Sequence, residues 1–253
     1  MFFLASIVSC SSPLQISSSH VESPITIDGK SEDWTDVLQR AQDPGILYAI
    51  RNDDKYLYLC IIPMDQPIGR QMLMRGFTVW FDPDGGKEKC LGIKFPLGMD
   101  GVLMQSLREG KRDDPMKEFD KEMVEHLREF EILGPGKYDL QRLTRKDRKP
   151  VQVCVGLTEK RLVYELKFPL YSADDEHGID PAKNSLIGIG LQTSEMRGNP
   201  GQMNRGMGDG GMGGGAVGAV KGGMSGRRSG GPMMERPKPL DFWAKVKLIS
   251  VEK

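Results

Sequence analysis

Three kinds of side chain in this 253-residue chain have types and spacing suited to chemistry. The first is tryptophan: Trp34, Trp80 and Trp243 each carry a flat π-face able to stack on apolar C–H groups. The second is Asp82-x-Asp84-Gly85, two carboxylates in the order that opens a calcium loop. That spacing fails beyond the first acids, with no Glu at the closing position, so a tight turn with solvated carboxylates is the better reading. The third is cysteine. Cys60, Cys90 and Cys154 sit in or beside apolar runs, where a buried small hydrophobe is the default. No C-x-x-C occurs, which argues against metal or redox chemistry, while a Cys60–Cys90 bridge is compatible with an oxidising compartment.

Nothing else offers reactive chemistry. No nucleophile–base pair, metal cluster or phosphate loop is visible, so neither an enzyme nor a bound cofactor or metal is expected. Met203, Met207, Met212 and Met224 carry thioethers of the kind that suits Cu(I), but their spacing is irregular and no His or Cys completes a site. Thirty-five basic and thirty-five acidic residues cancel, and the isoelectric point is about 6.8. A nucleic-acid partner, which would call for a basic field, is therefore not expected. No run of about 18 apolar residues is present, so no spanning helix is expected either.

Cys10 is a different case. Ile7-Val8-Ser9-Cys10 follows an apolar start, Met1 to Ser9, and resembles the bacterial lipobox, whose cysteine receives lipid. The positively charged segment of a secretory signal is missing. Ser11 to Ser19 reads as a flexible tether, so residues 1–23 are assigned to a signal remnant and tether. The resemblance implies a lipid-anchored protein of the bacterial cell envelope, facing the periplasm or in the outer membrane.

The elements that must position these residues are strands. Phe77 to Phe81 is β-branched or aromatic without a break, and Asp82-Pro83-Asp84-Gly85-Gly86 turns the chain into a second apolar run from Cys90 to Leu97. Both faces of 77–81 are apolar, which predicts a strand covered on both sides. Ile46 to Arg51 and Tyr56 to Ile62 form a hairpin across Asn52-Asp53-Asp54-Lys55, and Val151 to Thr158 and Arg161 to Phe168 form another across Glu159-Lys160. Leu186 to Gln192 and Phe242 to Val251 are further strands. Ser31 is placed to cap a helical turn at Glu32-Asp33-Trp34, with Trp34 as a plug over one end of the core.

Residues 102–150 break this rhythm. Asp114-Pro115 is a helix start, and Met116, Phe119, Met123, Leu127 and Phe130 recur at helical spacing. Glu131 to Leu133 is a candidate for one more short strand. Arg142, Arg145, Lys146, Arg148 and Lys149 read as a solvated basic loop. Pro63 to Arg70 reads as a loop, with Gln71 to Met74 leading into the central hairpin. Gly198 to Glu235, dominated by glycine, is low complexity and too poor in apolar surface to order.

Roughly nine short strands with one helical insertion predict an all-β antiparallel jelly-roll-type sandwich, a single domain over residues 24–253. Ile25-Thr26-Ile27-Asp28-Gly29 with Trp34 five residues on, the Ile50 to Ile62 hairpin, Phe77 to Asp82, and Tyr164-Glu165-Leu166-Lys167-Phe168-Pro169 together resemble family 9 carbohydrate-binding modules and their DOMON-like relatives. The resemblance implies a sandwich that holds a sugar end between aromatic rings. Trp34 belongs to its opening motif. Trp80 and Trp243 are the remaining ligand candidates, and lying on strands they are either a platform or core. A haem-binding DOMON-like protein would need an axial Met or His on the sheet. Neither His20, His126 nor His177 lies in an expected strand.

The expectation is a lipid-anchored, non-catalytic envelope protein whose partners are a carbohydrate and, through the anchor alone, a membrane. The rival from another class is a structural or protein-interaction module with no sugar ligand.

Overall fold

The computed structural model describes residues 14–41, 43–98, 127–134, 140–145, 150–171, 178–181, 185–194 and 238–249. In chain order the strands are β1 Leu14–Ser17, β2 Ser19–His20, β3 Gln39–Ala41, β4 Ile46–Asn52, β5 Tyr56–Pro63, β6 Phe77–Asp82 and β7 Leu91–Lys94. They continue as β8 Glu129–Leu133, β9 Leu140–Thr144, β10 Gln152–Thr158, β11 Arg161–Pro169, β12 Leu186–Thr193 and β13 Asp241–Lys247. A single 3-10 turn spans Glu32–Trp34, and one helix, α1, spans Gln66–Arg75. No described helix is long and apolar enough to cross a membrane.

Alternation of apolar and polar residues builds two sheets. One runs β1-β13-β12-β6-β7-β8-β9 and the other β10-β11-β5-β4-β2, with β3 paired to β4. Their inner faces meet in one core, including Phe77, Val79 and Phe81 from β6, Leu57, Leu59 and Ile61 from β5, and Tyr164, Leu166 and Phe168 from β11. Phe81 stacks on Phe168 at 5.0 Å, and Phe77 meets Tyr164 edge-on at 4.9 Å. The fold is an all-β sandwich. Residues 196–238 separate from it as a second unit, and Gly198 to Glu235 lies outside the described residues.

Both expected hairpins form. Glu159 and Lys160 turn β10 into β11 with φ of 50° and 66°, so two non-glycine residues adopt the left-handed region in a two-residue turn. In the β4–β5 turn, Asp53 Oδ1 accepts the backbone N–H groups of Lys55 and Tyr56 at 2.7 Å, which explains an aspartate in that tetrad. The closing strand β13 pairs back with β12, as its pattern demands.

Several expectations are corrected. The sheets are mixed: β1 runs parallel to β13 and β2 parallel to β4. The stretch read as a tether is therefore partly structural, because Ile16 enters the core and buried Ser18 marks the crossing from one sheet to the other. Ser18 Oγ bonds Asn52 Oδ1 and accepts the Ile249 N–H at 3.0 Å, tying both ends of the chain to β4. His20 lies in a strand after all, although one of only two residues.

Within 102–150 the described elements are the strands β8 and β9: Phe130 belongs to β8, points into the core, and is not the end of a helical stripe. Leu127 precedes β8 and packs half-buried against the core; Met116, Phe119 and Met123 lie outside the described residues, as do His126 and His177. From the basic run, Arg142 in β9 pairs with Glu131 and Glu129, and Arg145 sits 5.7 Å from the Phe95 ring. The described helix is α1, where a loop was expected. Its signals were the proline near its first turn and Gly76, which ends it at φ 86°. Cys60, Cys90 and Cys154 are free, with Cys60 inside β5 and Cys90 beside β7 of the opposite sheet.

Trp34 is fully buried, but not over an end of the main core. It packs against the outer face of the six-stranded sheet with Val21, Ile25, Tyr58, Cys60 and Val163. Its indole N–H donates to Glu165 Oε1 at 2.7 Å, while Glu165 Oε2 accepts the Asp28 N–H at 2.9 Å and the Gly29 N–H. Ser31 makes no side-chain cap there.

Candidate functional site

Trp80 and Trp243 meet on the outer face of the seven-stranded sheet. On β6, Phe77, Val79 and Phe81 point inward, so period two sends Trp80 outward. On β13, Ala244 and Val246 point inward, so Trp243 points outward. Both indoles are half-buried. Neither tryptophan joins a core cluster, and the outer face of β6 is covered as expected at Thr78, which is buried, but only half-covered at Trp80.

Register places them in one row. Gly190 of β12 is opposite Trp243 on one side and Trp80 on the other, and Gly92 of β7 is opposite Trp80. A Cβ added at Gly190 would lie 2.6, 2.6 and 2.8 Å from three consecutive atoms of the Trp243 six-membered ring. One at Gly92 would lie 2.7, 2.7 and 3.2 Å from three consecutive atoms of the Trp80 ring. Such near-equal distances arise above a ring face, not at its edge. Each indole therefore lies face-down on the glycine of the next strand, a cross-strand aromatic–glycine pairing that leaves its other face outward. The row continues through Leu133 of β8 to Leu140 of β9, which is 56% exposed.

A polar row runs beside this apolar one. Asp241, Gln192, Thr78 and Lys94 are successive register partners across β13, β12, β6 and β7, followed by Glu131 and Arg142. Gln192 Oε1 accepts the Trp80 indole N–H at 3.2 Å and Lys89 Nζ at 2.9 Å. Both bonds orient the amide, whose own N–H groups have no partner among the described residues. Lys89 Nζ also stands 5.6 Å from the centre of the Trp80 ring. Glu131 is buried and held by Arg142 and by Lys94 Nζ at 3.8 Å, so its charge is neutralised in place.

Asp82 closes one flank. It is buried, and its carboxylate accepts the Asp84 N–H at 3.0 Å and the Glu88 N–H at 2.8 Å. It organises residues 83–90 into a loop that packs over Gly188, whose Cβ position is filled by the Gly86 carbonyl. Those bonds make the tight turn that was expected, but with the Asp82 carboxylate buried where a solvated one was expected; no metal-holding group of His, Cys, Asp or Glu occurs among the described residues. Burial and the nearby Asp82, Glu88 and Asp84 carboxylates push the Cys90 thiol up, away from reactive thiolate.

Sequence reading found the two tryptophans but missed Gln192, Lys89, Leu133 and Leu140, and missed the glycines that seat the rings. The available signal was glycine inside strand patterns, at 92, 188 and 190, which marks close approach by another group.

No protein-family model matches the chain, and no curated protein does. Among solved structures it is similar to a carbohydrate-binding module of family 9 from Caldicellulosiruptor kristjanssonii in complex with glucose. The identity is 15%, over 72% of this chain and 78% of that one, with a TM-score of 0.33. A module of the same description in complex with cellotriose gives 12% identity over 73% and 77%, also at 0.33. At that TM-score the ligands remain facts about those modules.

Proposed function

We propose that this protein is a non-catalytic carbohydrate-binding protein of the bacterial cell envelope, anchored by lipid at Cys10, with its glycan on the Trp243–Trp80 face. The observation that carries the reading is the pair of outward indoles seated on Gly190 and Gly92. Neither indole belongs to the core between the sheets or to the second buried cluster around Trp34. A rigid, half-exposed π-face beside an oriented amide suits a pyranose, whose C–H face stacks while its hydroxyls seek hydrogen bonds. With β1 starting at Leu14, only residues 11–13 separate Cys10 from folded sheet, a reach of about 10 Å. Lipid at Cys10 would therefore hold the sandwich close to the bilayer.

Calorimetry against a panel of soluble oligosaccharides tests the binding. Two stacked rings and a few hydroxyl contacts predict millimolar to high-micromolar affinity, about 4 to 6 kcal/mol. Trp80→Ala and Trp243→Ala should each abolish the heat and still unfold cooperatively, costing less than the roughly 3 to 5 kcal/mol of a core truncation. Absence of heat with every sugar, with both variants folded, would leave the interaction-module alternative. Incorporation of labelled fatty acid by the wild type and not by Cys10→Ala tests the anchor.

A further inference from the structure

Resting on that reading, we infer that the glycan is the interior of a single β-1,4-linked chain, laid across the strands, and not a sugar end or a crystalline face. The apolar row of Trp243, Gly190, Trp80, Gly92, Leu133 and Leu140 crosses six strands, or five strand spacings, about 24 Å. That length accommodates several pyranose rings, far more than one terminal sugar. Trp243 and Trp80 stand two strand spacings apart, about 10 Å, which is the length of the disaccharide repeat in an extended β-1,4 chain. Both indoles lean the same way, each over the next strand, so they present successive plates and do not clamp a ring between them.

The polar row supplies the matching edge. Asp241, Gln192 and Lys94 stand alongside the plates, where the equatorial hydroxyls of such a chain would lie, with buried Thr78 filling the register position between Gln192 and Lys94. Sheet twist decides against a crystal face. Neighbouring strands are rotated by about 20–25°, so the two indole planes differ by roughly 40–50°. A single chain follows that rotation by turning about its glycosidic bonds, and a flat crystalline surface cannot.

Calorimetry of the full-length protein with cello- and xylo-oligosaccharides of two to six sugars tests this. Affinity should climb at least tenfold from two sugars to five, and borohydride reduction of the terminal sugar should leave it unchanged. Leu140→Ser, at an exposed edge-strand position, should weaken the six-sugar ligand severalfold and spare the two-sugar one. Affinity that is already maximal with a disaccharide and lost on reduction would overturn the chain reading in favour of end binding. Retention on microcrystalline cellulose without affinity for soluble chains would overturn it in favour of a crystal face. Either result leaves carbohydrate binding standing, whereas no binding to any sugar removes both.

Discussion

Replacing Gly190 with alanine disturbs the platform without substituting either tryptophan. The backbone at 190 is not in the left-handed region, so alanine brings no conformational strain. Its Cβ would fall 2.6 to 2.8 Å from the Trp243 ring, whereas ordinary contact begins near 3.4 Å, so the ring must lift. Trp buries roughly 150–250 Å², and losing about a third of that on one face exposes about 70 Å². At about 25 cal/mol per Å² the loss is about 2 kcal/mol. Reduced freedom of the unfolded chain returns about 0.5 kcal/mol. The net destabilisation is about 1.5 kcal/mol, a melting shift of roughly 3–6 °C for a domain of this size. Glycan affinity should fall at least tenfold, and the tryptophan emission should shift to the red as Trp243 meets water. The assay is calorimetry beside thermal melting and fluorescence on the same preparation. Unchanged affinity with a red-shifted spectrum would refute the platform. Loss of cooperative unfolding would show that Trp243 is a structural residue first.

Other substitutions probe the scaffold. Glu165→Gln turns one of three satisfied N–H contacts into donor against donor, and should cost about 1–3 kcal/mol by chemical denaturation. Burial raises the Glu165 carboxyl, outweighing the Trp34, Gly29 and Asp28 N–H bonds that lower it. A raised carboxyl contributes stability that is complete below its unfolded value and lost as pH climbs through its folded value. The gap between wild type and variant should therefore narrow as pH rises above the ordinary carboxylate range, and a widening gap would mean that the three donors dominate. Replacing residues 198–235 with a short Gly/Ser linker should move the melting temperature by only a few degrees, because loop-closure entropy depends weakly on length. The flanking strands are already joined by Thr193 N–H to Leu240 O at 3.0 Å and Leu240 N–H to Thr193 Oγ1 at 2.9 Å. Loss of a single unfolding transition would count against it.

Local pattern carried the fold class and much of the element list. Strict alternation in Val151 to Phe168 and in Phe242 to Leu248 names both the strands and their inward faces, because a strand repeats every two residues whatever it pairs with. Turns were legible for the same reason, although the cap expected at Ser31 does not form and α1 was passed over despite its proline near the start and its glycine after the end. Phe130 went wrong because short apolar runs have a period compatible with either helix or strand. Only the tertiary structure could decide which strands are neighbours beyond the hairpins. β6 lies more than 100 residues before β12 and β13, and their order depends on how two whole sheets share one core. The platform exists because that order sets Gly190 between Trp80 and Trp243. Each tryptophan's outward direction is a property of its own strand, but the glycine beneath its ring belongs to another, and no local pattern reports that meeting.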